Sequence, residues 1–545
     1  MKKIIAMILV FASLFAVGCS NRFGDGEEID ETKTQLRIEY FNGGVGSEWL
    51  TKVAERFEAE YANEPFEEGK LGVEIILGPS ESTDYTAISK SPYNLFFTEN
   101  IDYFRYAAQG SFLEISDIVR ETTLPGETVT LEQKLSDIHR TSLTALDGNY
   151  YAVPHYEFFH SAMYDADLFE TYGLFYADDR DNGNGGFVKN SSERRSAGPD
   201  GIYETGDDGM PVTYDEFFAL CDYMLSAYNI TPFVWTGESS GYILKFISAL
   251  AANYGGAEDW YANYSFGGQA KIISDYDTLE ESTVQITPNN GYLLSAQAGK
   301  YYALRFLERM LLNSGYYHGD SISRTYSHVE AQEDFIYSKL ENEPIAMIIE
   351  GSFWENEAAP IFQRSIQDKG DAAKNRKFGI MSLPLGTSAV TRKTALLDNS
   401  LSYAFINANI KNNPVLVRLA KLFLQYCYTD ESLAEFTRTT NMTKAVDWDY
   451  LSEDGEDYAA LSDFGRQLWD LKSNSDVVYQ ISDNNLFMNN SNMFEYTERF
   501  ISTVNGTPYL LPITALRDGI SAINYFEGMY VDANTWESNY EEYFD

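Results

Sequence analysis

Residues 36–97 switch repeatedly between the strand and helix periods, and that alternation limits the possible folds more than any other feature. Leu36-Arg37-Ile38-Glu39-Tyr40-Phe41 alternates apolar and polar residues like a strand and runs into the turn Asn42-Gly43-Gly44-Val45-Gly46. A helix should follow: Trp49, Leu50, Val53, Ala54, Phe57 and Tyr61 recur at helical spacing, with Ser47 and Glu48 suited to its amino end. Residues 73–77 and 94–97 read as further strands, the second followed by the polar loop Thr98-Glu99-Asn100-Ile101-Asp102. An order of strand, helix, strand, helix, strand predicts an α/β fold: a parallel sheet with helices on its faces and ligands at the carboxyl ends of its strands. Trp49, Glu99, Asn100 and Asp102 fall at those ends.

At 545 residues the chain is too long for one compact core, so two lobes are expected. Its 82 acidic and 40 basic residues give a net charge of −42. Aromatic residues make up 15%, more than a disordered charged chain carries, so the acidity lies on a folded surface. Such a surface is repelled by phosphate backbones, which excludes nucleic acid as a partner. Three cysteines, Cys19, Cys221 and Cys427, form no CxxC pair and cannot build a disulfide framework.

Met1-Lys2-Lys3 precedes an apolar run that is short for a membrane span, which reads as an export signal. Its end, Ala16-Val17-Gly18-Cys19, resembles a bacterial lipobox, which implies a signal peptide over 1–18 and acylation of Cys19, palmitate included. Residues 19–35 are polar and acidic and suit a flexible tether reaching roughly 20 Å. Two acyl chains suffice for stable anchoring, so an extracytoplasmic protein held at the cell membrane by its lipid is expected.

The segment DGNYYAVPHYEFFHSAMYDADLFETYGL, from Asp147 onward, resembles the stretch where extracellular solute-binding proteins of carbohydrate ABC importers cross from first to second lobe. FNGGVGSEWLTKVAERFEAEY resembles that family's first strand and helix, VTYDEFFALCDYM its second-lobe helix, IAMIIEGSFWENEA its strand-to-aromatic motif, and FGIMSLPLG its return crossing. Together these cover most of residues 36–405. The resemblance implies a two-lobe periplasmic-binding-protein-like (type II) fold with a hinge and a central ligand cleft. It also implies a first lobe of 36–146 plus 378–430, a second of 147–377 plus 431–545, and crossings near 145–154 and 377–384. The implied partners are a carbohydrate ligand and ABC permease subunits, for a monomeric receptor that is not an enzyme and requires no cofactor.

A sugar presents C–H patches on its ring faces and hydroxyls around its rim, so its site needs flat aromatic walls and short polar acceptors. Trp235 ends the apolar run Thr231-Pro232-Phe233-Val234, and Trp354 follows the strand Ile345-Ala346-Met347-Ile348-Ile349. Carried over from the resemblance, these two are the stacking platforms, and Glu48, Trp49, Glu99, Asn100, Asp102, Tyr156 and Glu350 line the cleft. Core packing is the alternative for any one aromatic.

An insertion at 177–209 carries Asp178, Asp179, Asp181, Asp200, Asp207 and Asp208 among glycines. Its phrase Gly198-Pro199-Asp200-Gly201-Ile202-Tyr203-Glu204-Thr205-Gly206-Asp207-Asp208-Gly209 resembles Asp/Gly-rich calcium loops, with Asp200, Asp207 and Asp208 as ligands. A solvated acidic hairpin fits the same residues. Thr213-Tyr214-Asp215-Glu216 should cap a helix that buries Cys221. The rival reading is a secreted surface hydrolase. Gly237-Glu238-Ser239-Ser240-Gly241 satisfies the nucleophile-elbow pattern, yet only His318 and His328 follow Ser239 among five histidines. A glycoside hydrolase using paired carboxylates is the other form of that rival, and a helical starch-uptake lipoprotein conflicts with the early strand–helix alternation.

Overall fold

The computed structural model describes residues 29–80, 88–178, 186–189, 193–484 and 497–544. Cys19, the signal segment, Asp179 and Asp181 lie outside the described residues. No helix among the described residues is long and apolar enough to cross a membrane.

The expected first strand is β1 (Thr34–Phe41), which begins one residue before the tether was expected to end. Leu36, Ile38 and Tyr40 face inward, and β1 pairs in parallel with β2 (Val73–Ser80) on one side and β3 (Leu95–Thr98) on the other. Helix α1 (Glu48–Glu60) joins β1 to β2 and buries Trp49, Leu50, Val53, Ala54 and Phe57, as its spacing predicts. Between β2 and β3 the described residues hold a single short 3₁₀ turn, Ile88–Lys90, in place of a second helix. The sheet is completed far along the chain. Its order is β2-β1-β3-β12-β4, with β4 (Val153–Pro154) at the edge where the chain leaves and β12 (Tyr403–Ile406) between β3 and β4 where it returns.

The second sheet has the order β10-β5-β9-β6. Its strands are β5 (His160–Asp165), β6 (Thr231–Val234), β9 (Ile345–Gly351) and β10 (Phe378–Ile380). A separate hairpin, β7 (Gln269–Asp275) with β8 (Glu280–Gln285), lies between β6 and β9 in sequence. All seven residues of β9 are buried, which is why that strand reads as a continuous apolar run. The capping box at Thr213 starts helix Tyr214–Tyr228, and Cys221 is buried on it.

Three segments connect the two halves of the molecule and lie side by side. Residues 155–159 run from β4 to β5, and residues 399–402 run from β11 (Ala395–Asp398) to β12. Residues 441–446 leave helix Asp430–Thr440, which packs on α1, for helix Asp463–Ser473, which packs on β10. The Asp398 carboxylate accepts from the Phe158 N–H at 3.0 Å and the Ser400 N–H at 3.2 Å, while Ser400 Oγ donates to the Tyr156 carbonyl at 3.1 Å. Tyr156 and Lys444 form a bridge between the first and third segments.

This pairing draws the crossings later than sequence alone. Residues 145–149 form a turn within the first sheet's half, closed by Ala145 N–H to the Asn149 carbonyl, and β10 pairs with β5, so the return comes after Ile380. Helix Asp430–Thr440 likewise joins the first half although 431 onward was expected in the second. Side-chain periodicity locates strands but does not say which sheet they join.

Candidate functional site

The loops that end β1 and β3 meet the loop that ends β9. Gly43 and Gly44 take left-handed φ values of 40° and 84°. A Cβ on Gly43 would stand 2.5 Å from Glu99 Oε1, and one on Gly44 would stand 2.9 Å from Phe353 Cδ2. Glycine is therefore favoured here twice over, by conformation at both positions and by close neighbours, Glu99 of the same lobe at Gly43 and Phe353 of the opposite lobe at Gly44. Phe353 carries the second lobe's side of the contact. Its ring lies 5.2 Å from Phe158 at 90°, 6.0 Å from His160 and 6.3 Å from Tyr242.

Around this aromatic group three buried polar atoms have no hydrogen-bond partner among the described residues: Glu99 Oε1, Tyr156 Oη and His160 Nδ1. Their residues are 7%, 2% and 5% exposed. Leaving a buried polar group unpaired costs about 1–3 kcal/mol, so three in one neighbourhood mark a place built for something else. Burial pushes the Glu99 carboxyl up to about 8, against the pull of Lys245. Burial, reinforced by Lys245, holds the His160 imidazole well below its usual range, so the ring is neutral. A protonated carboxyl and a neutral imidazole can each donate and accept, and hydroxyls require that pairing. Asp398, at the second crossing, is raised to about 7 by burial and then by Glu157. Burial likewise raises Tyr242.

The structure thus brings together Glu99 and Tyr156 of the expected residues. Asn100 turns the chain out of β3 with a φ of 53° and is exposed beside them. Asp102 caps helix Tyr103–Ala108 by accepting from the Arg105 N–H at 3.3 Å. Glu48 faces solvent and pairs with Lys52 at 2.9 Å. Trp49 is enclosed by Phe97, His155 and Phe436 at 5.3, 5.0 and 5.2 Å, with Lys444 Nζ 4.7 Å from its ring centre. Glu350 accepts from Gln332 Nε2 at 3.2 Å and from the Gly351 N–H at 3.1 Å, and burial followed by Glu357 raises its pKa.

Both expected platforms are core residues. Trp354 has no exposure and packs among Phe335, Phe362, Phe378 and Phe464 in a cluster behind the second sheet. Trp235 is also fully buried, 5.1 Å from Tyr317, and borders a cavity of about 410 Å³ shared with Leu511, Ile513 and Arg517 and with none of Glu99, Tyr156, His160 or Phe353. The residues that sequence reasoning missed are Phe158, His160, Tyr242, Lys245 and Phe353. Only Phe353 had a signal, as the aromatic next to the one chosen: it caps the helical turn that Trp354 begins, and successive residues of a helical turn point about 100° apart.

In the acidic insertion, the Asp200, Asp207 and Asp208 carboxylates accept from the N–H groups of Ile202, Asp200 and Glu204 at 2.7, 3.0 and 3.0 Å. Burial and then Asp200 push Asp207 up to about 7. Among the described residues no three acids, histidines or cysteines are grouped to hold a metal ion. At the GxSxG segment, none of Glu238, Ser239 and Ser240 takes a left-handed φ, whereas a nucleophile elbow is a strained turn. The Ser239 N–H donates to Thr236 Oγ1 at 3.2 Å, and no described histidine hydrogen-bonds its hydroxyl.

No protein-family model matches the sequence, and no curated protein is similar to it at the sequence level. Solved structures are similar in fold. A chitin oligosaccharide binding protein superposes with a TM-score of 0.54 at 16% identity, over 93% of this chain and 99% of that one. The bacterial solute receptor AcbH, described as having an exclusive preference for β-D-galactopyranose, gives 0.51 at 13% identity, over 93% and 100%. The apo form of RafE from Streptococcus pneumoniae gives 0.51 at 14% identity, over 95% and 100%. The chain has the α/β, periplasmic-binding-protein-like fold that these structures share.

Proposed function

We propose that the chain is the solute-binding lipoprotein of an ABC transporter, which captures a sugar or oligosaccharide between its lobes and delivers it to a membrane permease. The observation that carries the reading is the group of three buried polar atoms of Glu99, Tyr156 and His160, unpaired among the described residues, around the Phe158 and Phe353 rings, where loops from both sheets meet. Neutral donor–acceptors beside an aromatic face suit hydroxyls over C–H patches. The similar folds of receptors titled for chitin oligosaccharide and β-D-galactopyranose support the same class.

The three crossings supply the mechanics. A ligand touching Glu99 on one side and Phe353 on the other contacts both lobes only when they close, and its differential affinity shifts the open and closed populations. The closed form is then what the permease recognises. Anchoring through Cys19 would keep the receptor extracytoplasmic and close to it.

A thermal-shift screen of the chain against oligosaccharides tests this. One saccharide raises the melting temperature reversibly, by about 2.7 kcal/mol of stabilisation at a hundredfold excess over Kd, and is recovered chemically intact. Phe353→Ala weakens that shift. Hydrolysed product in the recovered sugar supports the hydrolase reading instead.

A further inference from the structure

Lys245 lies on helix Gly241–Gly255 and reaches the same neighbourhood, with its Nζ 4.8 Å from the centre of the Phe158 ring. The side chain is half-buried, and among the described residues its ammonium makes no hydrogen bond and no ion pair. The carboxyl groups whose charge it feels are Glu99, Asp398 and Glu498. Two of them are otherwise engaged: Asp398 accepts from the Phe158 and Ser400 N–H groups, and Glu498 accepts from Gln480 Nε2 at 2.7 Å. The third, Glu99, is held towards its neutral form by burial. The result is a cation that has an aromatic face but, among the described residues, no anionic partner, at the lobe junction of a chain carrying −42.

A lysine placed to bind a purely neutral sugar gains only hydrogen bonds while remaining partly desolvated and unneutralised. An anionic substituent on the ligand supplies the missing counter-charge through a charge-assisted bond. Repulsion from the acidic body does not defeat this, because at ordinary ionic strength exposed charges more than about 10 Å away are screened, whereas the half-buried lysine acts at contact.

We infer that the ligand is an acidic saccharide, carrying a carboxylate or a sulfate ester that pairs with Lys245 while its ring packs beside Phe353 and its hydroxyls meet Glu99, Tyr156 and His160. The inference rests on the carbohydrate reading and narrows it.

Calorimetric titration of the full chain with three probes tests it: a tri-uronate, its carboxyl-reduced neutral counterpart, and a sulfated trisaccharide. At least one anionic probe binds about ten-fold or more tighter than the neutral one, and which of the two does so identifies the anion. Lys245→Met brings anionic and neutral probes to within about three-fold of each other, while Lys245→Arg keeps the preference, since it keeps the charge. Equal binding of neutral and anionic probes, binding of the neutral probe alone, or equal weakening of both by Lys245→Met overturns the inference and leaves the carbohydrate reading standing. Binding of none of the three overturns the inference, and silence across the wider oligosaccharide screen as well overturns the carbohydrate reading with it.

Discussion

Replacing Trp354 by alanine destabilises the free protein by about 3–5 kcal/mol and leaves the selectivity of the folded remainder unchanged. The indole has no exposure, and rings of Phe378, Phe362, Phe335 and Phe464 stand 5.2, 5.4, 5.7 and 6.1 Å from it. Truncation leaves a cavity the size of an indole between helix His328–Ser338, helix Ala359–Lys369, β10 and helix Asp463–Ser473, and four aromatic neighbours cannot collapse into it. Among the described residues the Nε1 hydrogen has no acceptor, so the loss is one of volume and dispersion rather than of a hydrogen bond. Denaturant unfolding reads the effect as a lower midpoint. A variant of native stability that has lost its saccharide would instead restore Trp354 as a stacking surface.

Arg376→Met is expected to cost a similar amount, about 3–5 kcal/mol, because it strands a buried carboxylate. Arg376 is 4% exposed by its side chain and Asp165 0%, and Nη2 lies 2.5 Å from Oδ2. The guanidinium also donates to the Ile336 carbonyl at 2.7 Å. Asp165 cannot move out to water, since its other oxygen caps helix Ala166–Tyr172 by accepting from the Leu168 N–H at 3.0 Å. Burial already raises the Asp165 pKa and Arg376 holds it down, so removing the cation drives the carboxyl towards its protonated form. Asp165→Asn added to Arg376→Met should recover part of the loss, because the amide keeps an oxygen for the cap without the charge. A single variant as stable as the parent would show that the pair contributes nothing.

What the sequence made legible follows from which forces are local. The β1–α1 start, the buried face of α1, the capping box at Thr213 and the buried run of β9 each depend on residues within a few positions, and each is present. Sheet membership depends on distant partners. β10 joins β5 rather than the first sheet, and residues 441–446 become a third crossing because Lys444 pairs with Tyr156 nearly three hundred residues earlier in the chain, which no periodicity announces. The site shows the same division. Glu99 was placed by its position at the end of a strand, whereas His160 and Lys245 are single residues in unremarkable segments that only folding brings beside Phe158. The aromatic wall was missed by one residue: after β9, Phe353 turns to the first lobe and Trp354 to the core.

The central claim is that Glu99, buried and unpaired in the free chain, is completed by a saccharide hydroxyl. Calorimetric titration of wild type and Glu99→Ala with the saccharide selected by the thermal screen tests it most directly. The account predicts one-to-one binding that weakens about 10- to 100-fold in the variant, with no loss of melting temperature in the free protein, since among the described residues the removed carboxyl makes no hydrogen bond or ion pair to lose. Equal affinity in wild type and variant would contradict it.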